Sequence, residues 1–225
     1  PAKAGRMSLE VALREGAQAL GLALTPEQEG RLLAYLGLLQ KWNRVYNLTA
    51  VRALGEMLSH HVLDSLAVLE PLDRQAPAGG RLLDVGSGGG LPGVVIAGCR
   101  PQWRVDCVGA VGKKAAFVQQ VAVALGLSNL RGVHARAESM QEPYDIVASR
   151  AFASLADFVA VSRQALAEQG AWLAMKGKRP DDEIAALPAD IEVFHVEQLS
   201  VPQLAAQRCI VWVRPGEPGA GSSLT

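Results

Sequence analysis

The sequence predicts an α/β fold, a mostly parallel seven-stranded sheet with helices on both faces, preceded by a small helical region. Three observations carry this expectation. Short apolar runs alternate with helical stretches from Arg81 onward. A glycine-rich turn follows directly on the first of those runs. The first third of the chain instead has apolar residues at helical spacing.

In that first third, Thr25-Pro26-Glu27-Gln28 has the pattern of a capping box, with Thr25 as N-cap and Pro26 at the first helical position. Leu32, Leu33, Leu36, Leu39 and Trp42 then form one apolar face. A second amphipathic stretch, 56–69, places Leu58, Val62, Leu66 and Leu69 on one side. Residues 73–80, with Pro77, Gly79 and Gly80, have the composition of a linker. Buried strands are expected at 81–85, 104–108, 130–134, 144–149 and 171–176, with helices at 91–98, 114–125 and 155–168. Such alternation implies parallel strands covered on both faces. Segments 191–196 and 208–214 are expected to pair as a hairpin at the sheet edge. The organisation is therefore a helical region over 1–75, a sheet domain over 76–215 and a flexible tail over 216–225, which is rich in Gly, Pro and Ser.

The 22 basic and 22 acidic side chains cancel, which argues against a protein coated in positive charge but permits a local basic face. No apolar run reaches the roughly 20 residues that span a bilayer, and Pro1 to Met7 lack the apolar core of a secretion signal. Cys99, Cys107 and Cys209 lie far apart without metal-ligand spacing, and His60, His61, His134 and His195 form no ligand motif. The expectation is reduced thiols in a cytoplasmic protein with no metal.

The most informative segment is Leu82-Leu83-Asp84-Val85-Gly86-Ser87-Gly88-Gly89-Gly90-Leu91-Pro92-Gly93. A strand enters, the glycines turn, and Pro92 is placed to open a helix whose free N–H groups suit an anionic group. In a parallel sheet this turn lies at the ligand-binding end of the strands. Gly88, Gly90 and Gly93 fit the spacing of a dinucleotide turn, a weak match by itself. Asp84 argues for a different cofactor: its carboxylate would repel a pyrophosphate and attract the ammonium and sulfonium of S-adenosylmethionine. A nucleotide site and a turn that merely packs tightly stay open beside it.

Joined to further motifs, the turn resembles that of the bacterial 16S ribosomal RNA guanine-N7 methyltransferase G family, also called glucose-inhibited division protein B. The resemblance runs from about Leu32 to Val213 through Lys41-Trp42-Asn43, Tyr46-Asn47-Leu48-Thr49, His61-Val62-Leu63-Asp64-Ser65, Ser149-Arg150-Ala151-Phe152-Ala153 and Lys176-Gly177. It implies a Rossmann-like class I methyltransferase fold and methyl transfer from S-adenosylmethionine to one guanosine N7 in 16S rRNA of the 30S subunit. It further implies that Gly86, Ser87, Gly88, Gly90 and Leu91 hold the methionine part of the cofactor, next to the Asp84 carboxylate at the strand end. Ala137 and Glu138 would flank the adenosine, Arg150 would lie at the cofactor site, and Arg150 and Lys176 would serve catalysis on the substrate side. Two positions depart from the family. Gly109 stands about where an acidic residue usually binds the ribose hydroxyls, leaving Asp106 as the nearest substitute. His60 stands where the family often has Arg.

Guanine N7 has a lone pair and no proton, so its methylation needs alignment and no general base. Arg150 is expected to order the cofactor or pair with guanine O6 or a phosphate, against a purely structural ion pair. Phe152 is expected to stack on a flipped base or pack in the core. Lys176, Lys178 and Arg179 form a basic cluster suited to phosphate. Lys113 and Lys114 suit nearby RNA phosphate or plain solvation, and Trp42, Tyr46 and His61 suit an RNA platform or the core. Two other functions stay open: a small-molecule methyltransferase, and an RNA-binding module with weakened cofactor affinity. No exposed heptad seam is evident, so a monomer is expected.

Overall fold

A computed structural model describes residues 2–150 and 152–216; Ala151 and residues 217–225 of the expected tail lie outside it. Helix α1 (Ala2–Ala19) leads to α2 (Pro26–Tyr46). The capping box closes as predicted: Gln28 N donates to Thr25 Oγ1 at 3.2 Å, and Thr25 N donates to Gln28 Oε1 at 3.0 Å. Asn47 ends α2 in the left-handed conformation, φ 50°. The second amphipathic stretch is helical but not regular. Helix α3 (Leu54–Met57) runs into a π-helical segment, Leu58–Leu63, then α4 (Asp64–Leu66) and α5 (Leu69–Gln75). The wider π turn keeps His61, Val62, Leu63, Asp64 and Ser65 buried together.

The predicted linker is shorter than its composition suggested. Helix α5 runs to Gln75, and β1 (Gly80–Val85) begins at Gly80. Asp73 is held in α5 by a two-pronged ion pair with Arg100 at 2.7–2.9 Å. The remaining elements are α6 (Gly93–Cys99), β2 (Trp103–Gly109), α7 (Gly112–Ala124), β3 (Leu130–His134), β4 (Tyr144–Ser149), α8 (Leu155–Ser162), β5 (Leu166–Lys176), α9 (Asp181–Ala185), β6 (Ile191–Leu199) and β7 (Arg208–Pro215). The helix expected to reach Glu168 stops at Ser162, and a single 3₁₀ turn, Arg163–Ala165, leads into β5 at Leu166. Its early residues are half or fully exposed, and the register slips between Tyr144 and Ile146. That first part of β5 therefore lacks the buried apolar run by which a strand is read.

The strand order is β3-β2-β1-β4-β5-β7-β6, with β7 antiparallel between β5 and β6. The predicted hairpin is thus real, and its second strand is the inner one. Alternate residues feed two cores. Leu82, Ile146 and Leu173 pack with α2, α6, α7 and the segment 57–69 on one face, whereas Leu83, Val147 and Trp172 pack with α8 on the other. The helical region therefore shares one continuous core with the sheet. Gly93 sets the depth of α6: a Cβ there would stand 2.5 Å from Cys107 Sγ and 2.9 Å from Asp84 Oδ2. No described helix is long and apolar enough to cross a membrane.

Candidate functional site

Two groups of residues meet at the C-terminal edge of the sheet. The first is the glycine turn after β1. Gly86, Gly88 and Gly90 have φ of 67°, 57° and 93°, conformations that a side chain would strain. At Gly86 the space where a Cβ would stand is open, with no atom within 4 Å. The turn is braced from α2, where the buried Tyr35 hydroxyl donates to Gly89 O at 2.7 Å. Beneath it Asp84 is fully buried. Its Oδ2 accepts from Gly93 N at 2.7 Å, while its Oδ1 has no hydrogen-bond partner. Burial pushes this carboxyl up to about 7, against the Gly93 N–H and the Arg150 charge, which pull it down. Ser87 closes the turn through its carbonyl, which accepts from Gly90 N and Leu91 N. Ala137 and Glu138 lie in a short 3₁₀ turn after β3, the first half-buried and the second exposed.

The second group lies across the ends of β4, β5 and β7. A cavity of about 290 Å³ is lined by Val51, His60, His61, Arg150, Lys176 and Arg208, among others. Asp64, with its side chain 3% exposed, anchors the site: Oδ1 takes Arg208 Nε at 3.0 Å, and Oδ2 faces Arg150 Nη1 at 3.5 Å. Arg150 also donates to His60 O at 2.9 Å and meets His61 Nδ1 at 3.2 Å. Because Nδ1 faces a donor that never deprotonates, the ring hydrogen belongs on Nε2, which lies 2.7 Å from Thr49 Oγ1. Burial, helped by the Arg150 charge, pulls His61 down to about 4, so the ring is neutral near pH 7. Burial raises the Asp64 carboxyl, and the two guanidiniums oppose this.

Apart from Ala137 and Glu138 in the turn after β3, the expected site residues thus fall into two places. Asp84, Gly86, Ser87, Gly88, Gly90 and Leu91 form the turn, and Arg150 and Lys176 line the cavity. Lys176 is not a free cation, because its ammonium donates to Glu183 Oε1 at 2.8 Å and to Phe152 O at 3.1 Å. Glu183 Oε1 also accepts from Leu155 N, so this lysine ties β5 to α8 and α9. Phe152 packs on Phe158, ring centroids 5.6 Å apart, and Trp42 packs on Phe117 at 5.4 Å. Asp106 does not stand in at Gly109. It is committed to Arg131 at 2.8–2.9 Å and to the Tyr144 hydroxyl at 2.6 Å. Arg208 has no sequence signal of its own, because an arginine opening a strand of a hairpin at the sheet edge reads as solvated; the acid Asp64 in the apolar segment 57–69 is the available signal.

Replacing Asp64 with Asn should lower stability by about 2 kcal/mol, because two partly buried guanidiniums lose their shared charge. Thermal unfolding checks this, and an unchanged melting temperature would show that water alone satisfies both arginines. No group of three or more metal-ligating side chains occurs among the described residues, and all three cysteines are buried and free.

The family model for rRNA small subunit methyltransferase G matches residues 28–211. A ribosomal RNA small subunit methyltransferase G from Acidovorax sp. (strain JS42) is 64% identical over 217 residues, covering 92% of this chain and 96% of the relative. One from Paracidovorax citrulli (strain AAC00-1) is 60% identical over 220 residues, covering 92% and 90%. Among solved structures, TrmN from Thermus thermophilus superposes with a TM-score of 0.53 at 18% identity, covering 74% of this chain and 54% of that one. MtNAS, in its complex with MTA and tNA, gives 0.57 at 12% identity, covering 93% and 86%. These structural likenesses carry the Rossmann-like methyltransferase fold. The matches favour neither the small-molecule reading nor the cofactor-weakened one.

Proposed function

Because the chain belongs to the rRNA small subunit methyltransferase G family, we propose that it methylates guanine N7 at one position of 16S ribosomal RNA, with S-adenosylmethionine as donor. It is read as a cytoplasmic monomer acting on the 30S subunit or its RNA. Within the molecule, the reading rests on the turn after β1: Asp84 Oδ1 is buried without a partner, and two residues on, the space where a Cβ on Gly86 would stand is open. An unpaired buried carboxylate oxygen is costly, and the donor's ammonium supplies the charge and hydrogen bond it lacks. The amides from Gly86 to Leu91 would hold the methionine part, and Ala137 and Glu138 would border the adenosine.

The donor contributes an electrophilic methyl group on a sulfonium. The rest of the work is placement by this chain. Guanine N7 attacks with its own lone pair, so no residue has to remove a proton, and His61, neutral with Nδ1 facing Arg150, is held out of proton transfer. Arginine usually reads guanine by a fork to O6 and N7. That fork would cover the acceptor, so Arg150 or Arg208 serves O6 or a flanking phosphate alone. Lys176, tied to Glu183, shapes the cavity from the β5 side.

Incubating the protein with methyl-labelled S-adenosylmethionine and unmodified 30S subunits is expected to place one methyl on 16S rRNA, recovered as 7-methylguanine. Label recovered in small metabolites, or none in RNA, would refute the reading.

A further inference from the structure

We infer that a separate basic face, formed by the C-terminal end of α2 and the start of α7, docks the phosphate backbone of the RNA substrate. This rests on the rRNA reading above. Lys41, Arg44, Arg52 and Lys113 are exposed there, and Lys114 is half-buried. The chain has no acidic residue from Gly30 to Gly55, or from Cys107 to Ala137. None of these five cations has an acidic partner among the described residues.

That is unusual within this molecule. Arg14, Arg74, Arg81, Arg100, Arg163 and Arg179, exposed or half-buried elsewhere, all sit in ion pairs. Beyond residue 8, the other described cations without an acidic partner are Arg104, Arg136 and Lys178, none of which lies in α2, in α7 or in the segment between α2 and α3 that carries Arg52. The two elements are joined at this face by Lys113, whose ammonium lies 5.2 Å from the centre of the Tyr46 ring. Tyr46 is 39% exposed, propped at 5.3 Å by Trp42, beside Val45 at 69% exposure. Lys113 and Lys114 also occupy the first turn of α7, where the helix dipole disfavours cations. An aromatic ring set among unpaired cations is the chemistry of a single-stranded nucleic-acid contact.

The position fits the reaction. Leu48, just past α2, lies over the glycine turn, its carbonyl 3.9 Å from where a Cβ on Gly88 would stand. Arg52 follows Val51, which lines the arginine-bearing cavity, so a strand with its phosphates on this face runs past the turn to that cavity. The face positions RNA and takes no part in the transfer.

The test compares the full chain with Lys41→Gln/Lys113→Gln, Tyr46→Ala and, as a control at the opposite end of β2, Arg104→Gln. Binding to unmodified 30S subunits is measured over a range of salt, with methylation kinetics and S-adenosylhomocysteine titration in parallel. The double variant should raise Kd and KM for the subunit about tenfold and reduce the logarithmic salt slope by about 1.5. Its kcat, its S-adenosylhomocysteine affinity and its fold should stay unchanged. Tyr46→Ala should weaken binding without changing the slope, and Arg104→Gln should behave as wild type. A double variant that binds with wild-type affinity and slope overturns the inference. So does one that loses affinity at constant slope, which marks contact with a protein surface. If wild type itself neither binds nor methylates the subunit, the rRNA reading fails and takes this inference with it.

Discussion

Asp84→Asn should lower affinity for S-adenosylmethionine by roughly 10- to 150-fold, while leaving the protein folded. The substitution keeps an oxygen for the Gly93 N–H, so α6 stays anchored. It removes the negative charge that the unpartnered Oδ1 presents, and a charge-assisted hydrogen bond in a buried site is worth about 1.5–3 kcal/mol. A pH signature separates this from misfolding. With its folded value raised to about 7, Asp84 holds a proton that the unfolded chain has lost, so its stability contribution is complete below the ordinary carboxylate range and is lost as pH rises to 7. His61, lowered to about 4, has the opposite sign: its contribution is present above the ordinary histidine value and lost as pH falls to 4. In wild type the two slopes oppose each other between pH 4 and 6.5. In Asp84→Asn the His61 slope is uncovered, so stability should climb with pH relative to wild type by about 1.4 kcal/mol per unit. Denaturant unfolding at pH 4.5, 5.5 and 6.5 measures it, and parallel curves would remove Asp84 from the account.

The second large effect is a gain. Gly109→Asp should tighten S-adenosylmethionine binding by roughly 10- to 100-fold, the equivalent of one charge-assisted hydrogen bond. Gly109 ends β2 at the ligand-binding edge, where an acid takes ribose hydroxyls in turns of this kind. A Cβ there meets nothing within 4 Å, and its φ lies outside the left-handed range, so the aspartate enters without strain. Asp106 does not already fill the role, since it is spent on Arg131 and Tyr144. Gly109→Asn should gain less, because its amide carries no charge. Titration calorimetry decides, and equal affinity in all three proteins would place the ribose away from β2.

Much of the sheet was legible because a parallel strand covered on both faces is apolar along most of its length, as Leu82-Leu83 and Ile146-Val147-Ala148 are. The N-terminus of α2 was legible because Thr25 and Gln28 satisfy each other locally. The start of β5 was not, since its early residues bury little, and neither was the π turn, which packs under α1, where Leu63 meets Gly16. At the site, the turn and Asp84 could be named from spacing alone. What Asp84 does could not: the sequence places a carboxylate beside a ligand, whereas the structure buries it, raises its pKa and leaves one oxygen unpartnered. Lys176 read as a free phosphate-binding cation because Glu183, seven residues on, meets it only after β5 turns into α9. Arg208 and Asp64 are 144 positions apart, beyond the reach of any local pattern.

Counting protons when the donor binds probes the role given to Asp84 without relying on any substitution. S-adenosylmethionine is titrated into the protein at pH 6 in two buffers of different ionisation enthalpy, then again at pH 7.5. A carboxyl that is protonated when free and ionised beside the donor's ammonium should release close to one proton per molecule bound at pH 6, and much less at pH 7.5. Binding that releases no proton at either pH, or no binding at all, would contradict an Asp84-anchored donor.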